Sequence, residues 1–213
     1  MTSKKDGTYN NLRYRIITHD LKPMEPLNDR VLMDHYGIGR TPLREVLLQL
    51  QRDGLIQRFA RSGTVVAPVD IHIYKQNIEI RTVLEGLAGE MAAARISEDQ
   101  LETLRQILRR VRELEENDLE NFRELMQCEF DFHNLIYEAA NNPKLRDILH
   151  ELHGISARFW HYQIFSKQEL LDQFIDHRKI LDALEKRDGR QAGEALKEHI
   201  QNVVKKIRDK VLK

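Results

Sequence analysis

The sequence predicts a mainly α protein in two parts: a small N-terminal module of three helices closed by a β-hairpin, then an all-α antiparallel helical bundle. Three observations predict it. Apolar residues recur at helical spacing along most of the 213 residues, and 10 glycines and 5 prolines are too few for the turns of an all-β fold. Short β-type runs are confined to residues 55–69, around one tight turn. The net charge of zero also divides unevenly. Residues 1–69 hold 11 Lys and Arg against 7 Asp and Glu, which leaves 23 against 27 in the remainder. A small basic part joined to a larger acidic one implies that only the first faces a polyanion.

Composition removes several classes. With 41% apolar and 32% charged residues the chain is globular, neither disordered nor collagen-like. No run approaches the roughly 18 apolar residues of a membrane span. The first thirty residues lack the basic-then-apolar layout of a secretion signal. A single cysteine, Cys128, allows neither an internal disulfide nor a cysteine zinc site, and it reads as a buried small hydrophobe. A cytoplasmic protein without membrane attachment is the expectation.

In the first part, Tyr9 to His19 reads as a helix with Leu12, Ile16 and Ile17 near one face. Pro23 and Pro26 break it and force an extended connection. Asn28 caps a second helix, Asp29 to His35. Gly37 and Gly39 make a tight turn, and a third helix begins around Thr41-Pro42 and ends at Gly54. Leu55 to Phe59 and Thr64 to Val69 then flank the turn Ala60-Arg61-Ser62-Gly63. Three helices and a trailing hairpin are the plan of a winged helix-turn-helix. In the third helix Leu43, Val46, Leu47 and Leu50 form the buried stripe, which leaves Arg40, Thr41 and Arg44 elsewhere at its N-terminal end. That end is where a recognition helix meets base edges, and arginine suits guanine O6 and N7. Solvated surface charge is the bland alternative for these arginines.

The stretch from Gly37 through Arg40-Thr41-Pro42-Leu43-Arg44-Glu45 to Leu47, with Leu50, Asp53-Gly54-Leu55-Ile56 and the wing motif Arg61-Ser62-Gly63, resembles the GntR family of bacterial transcription regulators. The resemblance covers nearly all of residues 8–69. It implies that Arg30, Arg40, Thr41, Arg44 and Gly63 contact operator phosphates and bases. Gly39 departs from the family, which usually places Ser or Thr there against a phosphate.

Beyond a linker at Asp70 to Ile73, about six helices follow: Ile78 to Arg95, Ser97 to Glu116, Leu119 to Ala140, Pro143 to Phe165, one opened by Ser166 and Glu169, and a last one ending near Leu212. The domains expected are therefore residues 1–72 and 73–213. Six of the nine histidines lie between His133 and His199. Glu129 and His133 are four apart and share a helix face. His177 and His199 lie roughly 18 and 15 Å from a reversal at Asp188-Gly189, hence level on neighbouring helices. Three imidazoles and a carboxylate converging in a bundle suit a divalent metal, although a lone helical histidine is more often a surface or core residue.

This second part, through Arg81-Thr82-Val83-Leu84-Glu85, Phe132-His133, Ala139-Ala140-Asn141-Asn142-Pro143, His177-Arg178-Lys179-Ile180 and Glu198-His199-Ile200, resembles the FCD ligand-sensing domain of the FadR subgroup over about residues 75–205. The resemblance implies a metal, zinc with nickel or manganese as alternatives, held by Glu129, His133, His177 and His199 at the floor of an effector pocket. The family uses Asp where Glu129 stands, and the extra methylene moves the carboxylate by about 1.3 Å. It implies a small organic acid as effector, for which Arg81 and Arg158 are the candidate partners. His153 and His161 line the cavity or sit at the bundle surface, and Trp160 is core. The whole reads as a ligand-responsive regulator, a repressor by the family's commoner mode, that binds a palindromic double-stranded operator as a homodimer. It is not read as an enzyme; the competing classes are a metal-dependent hydrolase with Glu129 as general base and a DNA-binding protein that senses nothing.

Overall fold

The computed structural model describes residues 3–59, 63–116, 122–162 and 166–211. The wing tip at Ala60, Arg61 and Ser62 lies outside them, as do the expected helix start at Leu119 and the helix ends at Phe165 and Leu212. The chain divides into two compact units, Met1–Asn77 with Glu151–Gln163, and Ile78–His150 with Ile164–Lys213.

In the first unit, α1 (Lys4–Ile17) starts five residues before the expected Tyr9. The cause is a capping box: the Ser3 hydroxyl accepts the Asp6 N–H at 3.2 Å while the Asp6 carboxylate accepts the Ser3 N–H at 3.3 Å. Helices α2 (Asp29–Tyr36) and α3 (Arg40–Arg52) follow. Between them Gly37 takes a left-handed φ of 56°, which turns the chain within three residues. Leu12, Ile16, Leu43, Val46, Leu47 and Leu50 close the core against Leu55, Ile56 and Val66. The extended segment forced by the prolines is itself a strand, β1 (Pro26–Leu27). It pairs antiparallel with β3 (Gly63–Val66), which also pairs with β2 (Ile56–Phe59), so the sheet order is β1-β3-β2. Pro26 is tolerated because β1 is an edge strand. From α7 (Pro143–Tyr162), the half beyond His150 belongs to this unit, and Ala157 joins its core.

Helix α4 (Ile71–Arg95) begins seven residues before the expected Ile78, so the linker is 67–70 rather than 70–73. Asp70 starts it, its side chain accepting the His72 N–H at 2.7 Å. The second unit adds α5 (Glu98–Glu116), α6 (Phe122–Ala139), α8 (Lys167–Leu171), α9 (Phe174–Glu185) and α10 (Gly189–Val211). The single helix expected after Ser166 is therefore two. No Gly or Pro marks the break at Asp172-Gln173; there the Gln173 N–H turns to the Leu170 carbonyl at 3.1 Å in a tighter turn.

Within this unit the backbones of α4 and α10 approach closely. A Cβ on Gly89 would lie 2.8 Å from the Ala192 carbonyl oxygen, and one on Gly193 2.8 Å from the Gly86 carbonyl oxygen. Small residues here bring α10, and with it His199, against the core of Ala88, Ala92, Leu184 and Leu196. Thermal and chemical denaturation should therefore separate two glycine substitutions by sign. Gly89→Ala destabilises by about 1–3 kcal/mol through overpacking. Gly7→Ala, on α1 with open space around it, is neutral or stabilises by up to about 1 kcal/mol.

Candidate functional site

The first unit presents α3 as an amphipathic helix: the leucine stripe is buried while Arg40, Thr41 and Arg44 are exposed. Its N-cap, Gly39, offers no side chain to the first-turn N–H groups, and no acidic residue occupies that turn. The helix end therefore carries uncompensated donors beside two guanidinium groups, an arrangement suited to a phosphate. Arg30, in the first turn of α2, is exposed as well, and exposed Gly63 opens β3 with φ 91°. All five DNA-contact candidates thus belong to the surface of this unit. Arg61 and Ser62 lie outside the described residues.

The second unit gathers histidines. His133 comes from α6, His177 from α9 and His199 from α10, and all three rings are fully buried. His133 Nε2 stands 3.3 Å from His199 Nε2 and 3.4 Å from His177 Nε2. Nitrogens bound tetrahedrally to zinc at 2.0–2.1 Å are separated by about 3.3 Å, so the spacing suits a shared cation. Each opposite ring nitrogen faces an oxygen. His177 Nδ1 donates to the Gln173 carbonyl at 3.1 Å, the residue where α9 separates from α8. His133 Nδ1 lies 3.6 Å from Glu85 Oε1, and His199 Nδ1 lies 3.8 Å from Asp176 Oδ2. Acceptors on the Nδ1 side favour the tautomer whose Nε2 lone pair faces the cluster. Burial, reinforced by the neighbouring imidazoles, holds His177 well below the ordinary histidine range, and burial lowers His199 too. Neutral imidazoles are the metal-ligating form.

Glu129 also sits here, buried, with Oε1 3.5 Å from His133 Nε2. Among the described residues, the donor atoms that all lie within 4.8 Å of one another are those of His133, His177 and His199. Glu129 stands beside that set, next to one of its members.

Arg81 is buried in the same unit and pairs with Glu85, its Nε and Nη2 each 2.9 Å from Oε1. Tyr137 donates its hydroxyl to the same oxygen. Burial works to raise the Glu85 carboxyl, yet Arg81 and His133 outweigh it and hold it well below the usual carboxylate range. For Asp176 the neighbouring His199 imidazole comes first, helped by Asn202 and Lys179, and keeps it ionised against partial burial. Glu85, Asp176, Tyr137 and the Gln173 carbonyl are the orienting groups that spacing arguments missed. Glu85 stands four residues after Arg81 and Asp176 directly before His177, but neither position by itself marks a histidine partner.

Arg158, grouped with Arg81 by the sequence reading, belongs to the first unit, where its guanidinium donates to the Ala67 carbonyl. His153 and His161 belong to that unit too, apart from the histidine cluster. Cys128 and Trp160 are buried, and burial pushes the Cys128 thiol up to about 11.

Comparison with known proteins accounts for both units. Residues 4–66 match the gntR family of bacterial regulatory proteins, and residues 76–202 match the FCD domain. The HTH-type transcriptional repressor RspR of Escherichia coli K12 is 28% identical over 92% of this chain and 87% of its own length. The HTH-type transcriptional regulator YcbG of Bacillus subtilis is 30% identical over 85% of this chain and 78% of its own. Among solved structures, E. coli McbR/YncC shares the fold with a TM-score of 0.83 at 21% identity, covering 99% of this chain and 100% of that one. An N-terminal GntR domain followed by an FCD domain makes this chain a member of the GntR family of transcriptional regulators.

Proposed function

We propose that the protein is a ligand-responsive repressor that binds a palindromic operator as a homodimer and senses a small organic acid at a metal centre in its second unit. The observation that carries the sensing half is the cluster of His133, His177 and His199, with three Nε2 atoms turned inward and every Nδ1 facing an oxygen. A divalent metal held there, zinc by the nitrogen spacing, supplies open coordination positions for a carboxylate. Glu129 is the fourth ligand in this reading. Arg81, held by Glu85 through Nε and Nη2, is the cation of this reading for an anionic effector, which it would meet through its remaining N–H groups.

DNA reading rests on Arg40, Thr41 and Arg44 at the open end of α3, with Arg30 and Gly63 holding phosphates. The relative named as a repressor, RspR, supports the same direction of control. Dimerisation follows from a two-fold operator and has its own support in α4. There Ile80, Val83 and Leu87 form a stripe that is 54%, 64% and 42% exposed, the apolar surface a second copy of the chain would cover. Effector binding then shifts the population toward a head spacing that fits the operator poorly. Hydrolysis has no observation of its own in support, because the groups around the histidines orient rings instead of forming a nucleophile and base.

Three measurements test these parts separately. Arg44→Ala weakens specific operator binding by about 1–3 kcal/mol and relaxes base preference, read by competition binding at fixed salt; unchanged preference would remove α3 from the interface. His177→Ala lowers the metal content of the purified protein, by elemental analysis, while metal-free operator binding persists; equal metal in both proteins ends the metal reading. Val83→Asp shifts the protein toward monomer in light scattering. A dimer that survives this change uses another surface.

A further inference from the structure

The first unit contains a cavity of about 530 Å³ that the reading above leaves unused. Its walls come from that unit alone: the end of α3 and strand β2, the chain from Ala67 to Tyr74, and Ile155, Arg158 and Phe159 of α7. Most of the lining is apolar. Tyr74 and Phe159 stack with ring centroids 4.3 Å apart, and Ile56, Val69 and Ile73 extend the greasy surface.

Gln51, Gln57, Arg58 and Asp70 add polar groups to the wall, Arg58 with its side chain exposed, and Arg158 is the buried charge among them. It is 4% exposed, its Nη2 donates to the Ala67 carbonyl, and its Nε is buried with no hydrogen-bond partner. Arg81, buried to the same degree, has Glu85; Arg158 has no carboxylate against it among the described residues. Asp70, the acidic residue on the wall, is committed to the α4 N-terminus through the His72 N–H. Burial alone lowers the Arg158 guanidinium to about 10. A buried cation without a counter-ion is costly, and structures keep one where an anion completes it.

We propose that this cavity is a second ligand site, taking a small monocarboxylate whose carboxylate meets Arg158 and whose hydrocarbon body lies against Ile73, Tyr74 and Phe159. The guanidinium fork fits any planar or tetrahedral oxyanion, but the apolar walls favour an anion with a hydrocarbon part over inorganic phosphate. The site is independent of the histidine cluster.

The lone tryptophan, Trp160, is buried two residues from Arg158 and reports on this helix. The test titrates hexanoate into the full-length protein, followed by Trp160 fluorescence and by calorimetry, with 1-hexanol and inorganic phosphate as controls. It is run in the wild type and in His177→Ala, which removes the histidine cluster from the result. Hexanoate is expected to saturate this site in both backgrounds, as the single site in His177→Ala, with both controls at least tenfold weaker. Arg158→Gln added to His177→Ala should weaken hexanoate tenfold or more. Ile73→Asp tests the site without touching a buried group: Ile73 is 48% exposed, and a carboxylate there repels the ligand with the fold intact. The proposal is overturned if hexanoate does not bind, if 1-hexanol or phosphate binds as well, if His177→Ala abolishes the binding, or if Ile73→Asp leaves the affinity unchanged.

Discussion

His133 Nε2 faces the Nε2 atoms of His199 and His177 at 3.3 and 3.4 Å, all three rings fully buried, and the groups around them in the second unit are arranged to suit that cluster. Three lone pairs repel at that distance, and three protons would clash. Only a shared positive charge, or one proton placed between lone pairs, reconciles them. The surrounding groups are arranged for the lone-pair side of this choice. Gln173, Glu85 and Asp176 each offer an oxygen to the far nitrogen of a ring, so the bundle orients the imidazoles before anything joins them.

Holding that orientation shapes the helices. Gly89 and Gly193 let α4 and α10 pack backbone to backbone, and α10 carries His199. The Gln173 carbonyl, at the start of α9, accepts the Asp176 and His177 N–H groups and also meets His177 Nδ1. Arg81 compensates Glu85, which lets a carboxylate stay ionised deep in the core, where it faces both His133 and Tyr137. Removing any one of these would loosen a ring that others depend on.

The first unit follows another logic. Its core is an apolar cluster, and the DNA-contact candidates lie on its surface, at the end of α3 that no side chain caps, at Arg30 and at Gly63. An electrostatic surface reads a polyanion at long range, whereas a buried cluster reads one small molecule by contact. In the proposed function the opposite charges of residues 1–69 and 70–213 match this division.

Much of this was legible in the residues themselves. The Leu43-Val46-Leu47-Leu50 stripe determines which side of α3 is buried and so which arginines face outward, because helical phase is local. The i, i+4 spacing pairs Glu129 with His133, and the level about the Gly189 reversal pairs His177 with His199; joining the two pairs rested on the resemblance to the FCD domain. The early starts of α1 and α4 rest on local caps, Ser3 with Asp6 and Asp70, that apolar periodicity does not register, whereas the carboxylates behind His133 and His199 and the placing of Arg158 with Ala67 depended on tertiary packing. Periodicity reports a residue's own helix face; which group arrives from another helix is set by how the helices pack, and that is a property of the whole chain.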